Sequence, residues 1–151
     1  MKWDDVKGNN CSVARALSIF GERWTLLILN HASLGVTRFD HFQTQLGISR
    51  HLLAERLGTL VAEGILSKVQ YLEHPPRYEY ILTPKGQDLY PLLMAIVAWG
   101  DRWLDRGAGA PVEYVHQSCG HVMHGVMVCS VCGVELKCDD VTVKPGPGWD
   151  I

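Results

Sequence analysis

The chain has 151 residues, of which 47% are hydrophobic, and a net charge of −2. This length allows one domain with a sizeable core, or one domain and a small module. No apolar run is long enough to span a bilayer, and residues 1–10 are polar, so we expect neither a membrane segment nor a secretory leader. The sequence thus predicts a cytoplasmic protein whose five cysteines stay reduced and serve as metal ligands, reactive thiols or core residues.

Charge is spread unevenly along the chain. Residues 1–110 carry 12 Lys and Arg against 11 Asp and Glu, a balance of +1, whereas residues 111–151 carry 2 against 5, a balance of −3. Affinity for DNA depends on where cations lie on the surface. The total charge is therefore weak evidence against nucleic-acid binding.

The first elements are predicted to be helices. A short helix over 11–19 is followed by an apolar helix over 22–30, which we expect at the centre of the domain because it is apolar nearly all round. Thr37 is expected to cap a third helix, over 38–46, that ends at Gly47.

A fourth helix is predicted over 50–63, with Ser49 as its cap and Gly64 after its end. Its apolar residues fall on one face: Leu53, Leu57, Leu60 and Val61. The third and fourth helices and the turn at Gly47 form a helix-turn-helix pattern, although an ordinary helical pair in a core has the same pattern.

In a helix-turn-helix the second helix enters the major groove and presents its N-terminal residues to the bases. Helix N-termini also favour phosphate, because their N–H groups point outward. The candidate DNA contacts on the two helices are Arg38, Ser49, Arg50, His51 and Arg56.

Alternating segments at 66–71 and 77–82 predict a β-hairpin directly after this helix. A hairpin in this position is typical of a wing, and Arg77, next to the tip at 73–76, is a natural phosphate contact. The alternative is that Arg77 is only a solvated hairpin charge.

Thr83 and Pro84 then predict the start of a long helix that runs to about Arg106, with a bend at Pro91. Its apolar stripe is wider than one core contact needs, which favours a homodimer surface; packing on the chain's own first helices is the alternative. The stripe contains Leu89, Leu93, Ile96, Gly100 and Trp103, and is widened by Leu92 and Trp99.

A small, uncharged linker at 107–111 separates a winged-helix domain (1–106) from a Cys- and His-rich module (112–151). In this module, His116 and Cys119 form one ligand-x2-ligand pair, and Cys129 and Cys132 form another. Each pair is followed by glycine, and together they make the closed four-ligand set of structural zinc.

Other interpretations of this module stay open. His121 and His124 compete with His116 as the fourth ligand, and the cysteines could also be unrelated residues that bind no metal. A closed site leaves no open position for water, which argues against metal catalysis. The expected fold is mainly α with a β wing: a winged helix-turn-helix plus a small zinc-ribbon-like C-terminal module.

The order and spacing of several segments resemble the HxlR-type regulators, relatives of the MarR group, over about residues 9–105. These segments are Cys11-Ser-Val-Ala-Arg-Ala-Leu, Gly21-Glu-Arg-Trp-Thr-Leu-Leu-Ile-Leu, Thr37-Arg-Phe, Gly47-Ile-Ser, Leu53-Ala-Glu-Arg-Leu, Glu63-Gly-Ile-Leu and Pro76-Arg-Tyr-Glu-Tyr-Ile-Leu-Thr-Pro-Lys-Gly. The resemblance implies a homodimeric winged helix that binds a pseudo-palindromic operator and responds to stress or a small molecule. A subset of the family carries a similar C-terminal tail.

Cys11 is a candidate redox sensor. It lies at the start of the first helix, where the helix dipole and Arg15 favour a thiolate. Family members with a matching cysteine include sensors of quinones, aldehydes and disulfide stress. The alternative is a small buried hydrophobe.

The sequence thus predicts a sequence-specific transcription regulator that responds to a small molecule or to thiol-reactive stress. The alternative is a general transcription or protein-interaction factor with a winged helix and a zinc ribbon. We expect no enzyme, because the sequence offers no nucleophile–base pair, phosphate loop or carboxylate pair.

Overall fold

The computed structural model describes residues 11–149. Residues 1–10, for which the sequence predicts a polar segment without a leader, and residues 150–151 lie outside the described residues. The described residues form two compact units: the first comprises 11–90 together with 148–149, and the second is Pro91–Pro147. This division falls before the linker predicted at 107–111, which stays a prediction as a domain boundary.

Before the hairpin, within residues 11–65, four helices occur in the predicted order: α1 (Ser12–Phe20), α2 (Arg23–Ser33), α3 (Phe39–Leu46) and α4 (Arg50–Ala62). Helix α2 is less uniformly buried than its apolar composition predicts. Ile28 and Leu29 are buried, but Leu27 is exposed. The helix therefore has one core face.

The turn between α3 and α4 follows its local sequence. Gly47 ends α3 with a left-handed φ of 64°, which glycine adopts without strain, and the Ser49 hydroxyl accepts a hydrogen bond from the Leu52 N–H at 3.3 Å. The predicted Thr37 cap is wrong, because Arg38 is the N-cap residue and α3 has no side-chain cap. The Thr37 carbonyl instead accepts a hydrogen bond from the Tyr80 N–H at 2.7 Å, which draws Thr37 toward the hairpin.

Side chains from α2, α3, α4 and the start of the hairpin form the core of the first unit. The predicted stripe of α4 supplies Leu53, Leu57 and Leu60, all fully buried, and Val61 is half-buried. The other apolar members are Ile28, Leu29, Phe42, Ile48, Ile65 and Leu66. This core fixes the angle between the two helices of the helix-turn-helix, because close-packed side chains allow little rearrangement.

The predicted hairpin is confirmed as β1 (Leu66–Leu72) and β2 (Arg77–Leu82), paired antiparallel. The register shifts between Gln70 and Leu72, so Tyr71 is the extra residue of a β-bulge. On the other side of β2, Arg38 forms an antiparallel bridge with Glu79. The start of α3 is therefore attached to the wing by backbone pairing.

The single long helix predicted from Pro84 to about Arg106 is wrong. The structure has α5 (Pro84–Gln87) and α6 (Tyr90–Leu104), and the Thr83 hydroxyl caps α5 as predicted. Pro91 explains the interruption, since a helical proline lacks an N–H and its ring would clash with the carbonyl four residues earlier, that of Gln87.

This interruption changes the apolar stripe that the sequence predicts for dimerisation. Leu89 lies between the two helices, and Leu93 is buried. The exposed large apolar residues of α6 that share one face are Leu92, Ile96, Trp99 and Trp103. Their spacing of four, three and four residues keeps them on one side of the helix.

The rest of the second unit has little regular structure. Strands β3 (Tyr114–Val115) and β4 (Val122–Met123) pair antiparallel, and Cys138–Asp140 forms a 3₁₀ turn. Gly125 approaches α6 so closely that a Cβ there would lie 3.0 Å from the Met94 Cβ. Among residues 11–149, no helix combines the length and the apolar character needed to cross a membrane.

Candidate nucleic-acid interface

An open cleft of about 470 Å³ lies in the first unit, where α3, the start of α4 and the wing meet. Three of the predicted DNA contacts line it, and each comes from a different element. Its lining residues are Arg38, Phe39, Asp40, His41, Arg50, Tyr71, Pro76, Arg77, Tyr78 and Tyr80. With three arginines and one carboxylate, the cleft is electropositive, although the whole chain is acidic.

Arg38 is held in place by the wing. Its Nε lies 3.3 Å from Glu79 Oε1, and its guanidinium stacks 4.7 Å from the centre of the Tyr71 ring. The Thr37 hydroxyl donates to the same Glu79 oxygen at 3.4 Å. Half of the Arg38 side chain remains exposed, so its outer nitrogens stay available to a ligand.

The start of α4 presents the predicted base-contacting residues. Ser49, Arg50 and His51 are all exposed, and the Arg50 guanidinium lies 5.1 Å from the centre of the Phe39 ring. Arg50 lines the cleft, whereas Ser49 and His51 do not. The Ser49 hydroxyl is already occupied as the helix cap.

Arg77 opens β2 and pairs with Leu72 at the tip end of the wing. Two exposed tyrosines of the wing, Tyr71 and Tyr78, line the cleft beside it. The Lys68 ammonium lies 4.2 Å from the centre of the Tyr78 ring, on the same hairpin. These three residues were not among the candidates predicted from the sequence, although aromatic and basic residues within one alternating hairpin were a signal for them.

Arg56 differs from the other candidates. Its side chain is only 20% exposed, it contacts Glu55 at 3.4 Å, and it lies outside the cleft. Its Nε is buried without a hydrogen-bond partner among the described residues. Tyr80 also lines the cleft, and burial raises the pKa of its hydroxyl above the usual value.

Cys11 lies at the start of α1, as the sequence predicts, and is its N-cap residue. Its side chain is exposed, which is contrary to the alternative of a buried hydrophobe. The Arg15 N–H donates to the Cys11 carbonyl at 3.1 Å, and the Arg15 guanidinium donates to the Ser12 hydroxyl at 3.2 Å. The redox role of Cys11 stays a prediction.

The first predicted ligand pair of the second unit forms a tight turn. The His116 Nδ1 and the Cys119 Sγ lie 3.4 Å apart, and the Gly120 N–H donates to the His116 carbonyl at 2.7 Å. Gly120 has a φ of 72°, the left-handed geometry that favours glycine. His121, a competing ligand, contributes its backbone carbonyl to the His116 N–H at 3.0 Å.

The second pair forms a similar turn. The Gly133 N–H donates to the Cys129 carbonyl at 2.8 Å, and Gly133 has a φ of 74°. The backbone N–H groups of Cys132 and Val131, and then the Cys132 thiol, lower the pKa of the Cys129 thiol by hydrogen bonding to its thiolate.

The two pairs do not join into one site. Among residues 11–149, which include all five cysteines, no three His, Cys, Asp or Glu side chains are arranged to hold a metal ion. The residue types and the two turns fit zinc, but the complete four-ligand set is not assembled, so the zinc site stays a prediction. Cys138 lies apart, in the 3₁₀ turn.

Relatives of known sequence cover almost the whole chain. The uncharacterized HTH-type transcriptional regulator Rv3095 of Mycobacterium tuberculosis is 44% identical over 138 residues, which is 91% of this chain and 87% of that protein. The similarity therefore extends beyond the first unit. At 33% identity, the uncharacterized HTH-type transcriptional regulator YdeP of Bacillus subtilis matches 68% of this chain and 80% of its own length.

Two solved structures give the same result at the level of the fold. PA1607, a candidate transcription factor, superimposes with a TM-score of 0.84 and 35% identity, covering 94% of this chain and 99% of its own. The redox regulator HypR in its reduced form superimposes with a TM-score of 0.58 and 29% identity, covering 65% of this chain and 96% of its own. Because the superposition covers 94% of this chain, PA1607 also has a structural counterpart for most of the C-terminal segment, residues 107–151.

The helix-turn-helix, the attached wing and these likenesses place the chain among the winged helix-turn-helix transcription regulators. Residues 19–108 match the family described as HxlR-like helix-turn-helix. The chain belongs to that family.

Proposed function

We propose that the protein is a homodimeric, sequence-specific DNA-binding regulator of transcription, and that the arginine cleft is its DNA interface. The observation that carries the proposal is the convergence of Arg38, Arg50 and Arg77 in one cleft at the exposed start of α4. Membership of a helix-turn-helix family supports it.

Each arginine has a different task in this proposal. Arg50, with Ser49 and His51 beside it, enters the major groove and contacts base edges. Arg77 at the wing tip binds backbone phosphate, and Arg38 contacts the phosphate between these two positions. Arg56 is less exposed, so we assign it at most a flanking phosphate contact.

The exposed face of α6 is the proposed dimer surface. Trp99 is 59% exposed and Trp103 is 64% exposed, and Leu92 and Ile96 continue the same face. Leaving two indoles and two aliphatic side chains in water is unfavourable, at about 25 cal/mol per Å² of apolar surface. Two such faces packed together would provide the two-fold symmetry that a pseudo-palindromic operator requires.

Cys11 is the proposed site at which the regulator responds to thiol-reactive compounds or oxidants. HypR, one of the structural neighbours, is a redox regulator that has been solved in reduced and oxidised forms. Cys11 is exposed at a helix start, where electrophiles and oxidants can reach it. If a thiol-specific electrophile leaves operator binding by the wild type unchanged, Cys11 is not the switch.

We also propose that His116, Cys119, Cys129 and Cys132 bind a structural zinc ion. Imidazole and thiolate are the ligands that zinc prefers, and each pair supplies half of a tetrahedral set. Residues 112–149 contain no buried apolar side chain, so a metal would supply stability that packing does not.

Selection of duplexes from a random pool, followed by affinity measurements in solution, tests the proposed function. We expect a pseudo-palindromic site whose half-sites lie about 10 base pairs, or a multiple of that, apart. We expect it to bind at least about 10³-fold more tightly than a scrambled duplex. Equal affinity for the selected and scrambled duplexes would overturn sequence-specific regulation and favour a general transcription or interaction factor.

A further inference from the structure

Of the five cysteines in the chain, Cys129 and Cys132 are the two that have the Cys-x2-Cys spacing, and a closed turn holds them together. The Cys129 N–H donates to the Val134 carbonyl at 2.8 Å, and the Gly133 N–H donates to the Cys129 carbonyl at 2.8 Å. The second of these bonds closes one helical turn. Residues three apart in such a turn have their Cβ atoms about 5–6 Å from each other, on the same side.

The side chains of this pair are directed at each other. The Cys132 thiol hydrogen-bonds to the Cys129 sulfur, which also accepts hydrogen bonds from the backbone N–H groups of Val131 and Cys132. A disulfide needs Cβ atoms about 3.5–4.5 Å apart, so a movement of about 1–2 Å would close the bond. Cys132 is exposed and Cys129 is half-buried, so an oxidant in solution reaches Cys132 first.

The surroundings of the pair offer little resistance to this movement. Residues 112–149 contain no buried apolar side chain, so no close-packed core holds the turn in one shape. The other predicted ligand pair cannot react in the same way, because only Cys119 of that pair is a thiol and its neighbour is His116. Oxidation within a pair is therefore a property of Cys129 and Cys132.

We propose that Cys129 and Cys132 form a disulfide in response to a hydroperoxide, which gives the second unit an oxidisable site separate from Cys11. The inference rests on the proposed zinc site for its consequence. The two sulfurs are half of the proposed ligand set, so the disulfide removes them and the ion is released. Zinc-bound and oxidised are thus two successive states of the same two side chains.

The reaction balances with hydrogen peroxide as the oxidant. The Cys132 thiolate attacks one peroxide oxygen, the O–O bond breaks, and Cys132 becomes a sulfenic acid while the other oxygen leaves as water. The Cys129 thiolate then attacks the Cys132 sulfur, the S–S bond forms, and the second oxygen also leaves as water. The two thiolates supply two electrons, and the solvent supplies two protons.

Peroxide treatment of a Cys11→Ser variant tests the proposal, because this background removes the other candidate thiol. Tandem mass spectrometry locates the disulfide, and a chromogenic chelator follows the released metal. We expect the Cys129–Cys132 disulfide to form several-fold faster than Cys138 is oxidised, with about one zinc released per disulfide. Oxidation of Cys129 and Cys132 that is no faster than that of Cys138 would overturn the proposal.

A Cys132→His substitution in the same background is the matched control. It leaves two nitrogen and two sulfur ligands, a set that zinc accepts, but removes the possibility of a disulfide. The control should keep its zinc at a peroxide concentration that releases zinc from the parent, and equal release from both proteins would overturn the proposal. A parent that contains no zinc as purified would contradict the proposed metal site, whereas the disulfide read by mass spectrometry would still decide this inference.

Discussion

Arg38 and Glu79 are 41 residues apart in the chain, yet the Arg38 Nε lies 3.3 Å from Glu79 Oε1 and their backbones form a β-bridge. The first residue belongs to the helix-turn-helix and the second to the wing. This pair therefore links the two elements that a winged helix uses to hold DNA.

We predict that Glu79→Gln raises affinity for scrambled DNA and lowers the preference for the operator. The substitution removes a negative charge beside the cleft and releases Arg38 from one position. Both residues are partly exposed, so the free energy of unfolding should change by less than about 1 kcal/mol. Anisotropy titrations with operator and scrambled duplexes measure the effect; an unchanged affinity ratio would show that Glu79 does not position Arg38.

Substitutions at two glycines, Gly86 and Gly58, form a matched test of how local packing affects the free energy of unfolding. A Cβ at Gly86 would overlap the Ile65 carbonyl oxygen and lie 2.9 Å from Leu82 Cδ2, whereas a Cβ at Gly58, in α4, would meet open space. The Ile65 carbonyl cannot easily move, because it accepts a hydrogen bond from the Thr83 N–H at 3.0 Å.

Gly86→Ala should therefore destabilise the protein by about 1–3 kcal/mol. Gly58→Ala should stabilise it by about 0.5–1 kcal/mol through helix propensity. Urea unfolding followed by circular dichroism measures both changes. Equal effects of the same sign would contradict the packing described for Gly86.

Introducing a charged side chain on α6 tests the proposed dimer surface. Ile96→Glu should convert the dimer into a monomer at micromolar concentration, because a carboxylate in a paired apolar face loses its hydration. Val143→Glu, at a position that is 88% exposed in the C-terminal segment, is the control and should leave the dimer intact. Sedimentation velocity distinguishes the two states, and a dimer that survives Ile96→Glu places the interface elsewhere.

The zinc prediction has a matched control in the same segment. We expect about one zinc per chain after denaturation, with loss of metal in Cys129→Ser and retention in Cys138→Ser, since Cys138 lies outside the two pairs. The metal content of the purified variants, together with their thermal unfolding, measures this. Less than one zinc per wild-type chain, or equal loss in both variants, would contradict a site built from the two pairs.

Local patterns were sufficient to predict much of the fold. The spacing of Leu53, Leu57 and Leu60 identified the buried face of α4, and Gly47 and Ser49 correctly marked the turn before it. These predictions succeeded because a helix face and its caps depend on residues only a few positions apart.

Long-range pairing was not predictable in the same way. Thr37 is diverted from capping α3 by a hydrogen bond to Tyr80, and the bulge that exposes Tyr71 to Arg38 depends on strand register. Arg38, Arg50 and Arg77 lie together in one cleft, but their spacing in the sequence did not predict that they would meet. The two predicted ligand pairs show the same limit, because the local turn sequence determines the geometry within each pair but not whether the two pairs come together.

The salt dependence of operator binding tests the central claim most directly. Arg77→Gln should make the negative slope of log K against log salt less steep by about 0.9 for each protomer, and so by about 1.8 for the proposed homodimer, in which each copy loses one phosphate contact. Lys144→Gln, an exposed charge in the second unit, should leave the slope unchanged. Arg50→Gln should instead reduce the preference for the operator over a scrambled duplex, by about 1–3 kcal/mol for each half-site in which Arg50 contacts a base. The contradicting result would be an Arg77 variant with the same slope as the Lys144 control, together with an Arg50 variant that keeps the wild-type preference. The arginine cleft would then not be the DNA interface.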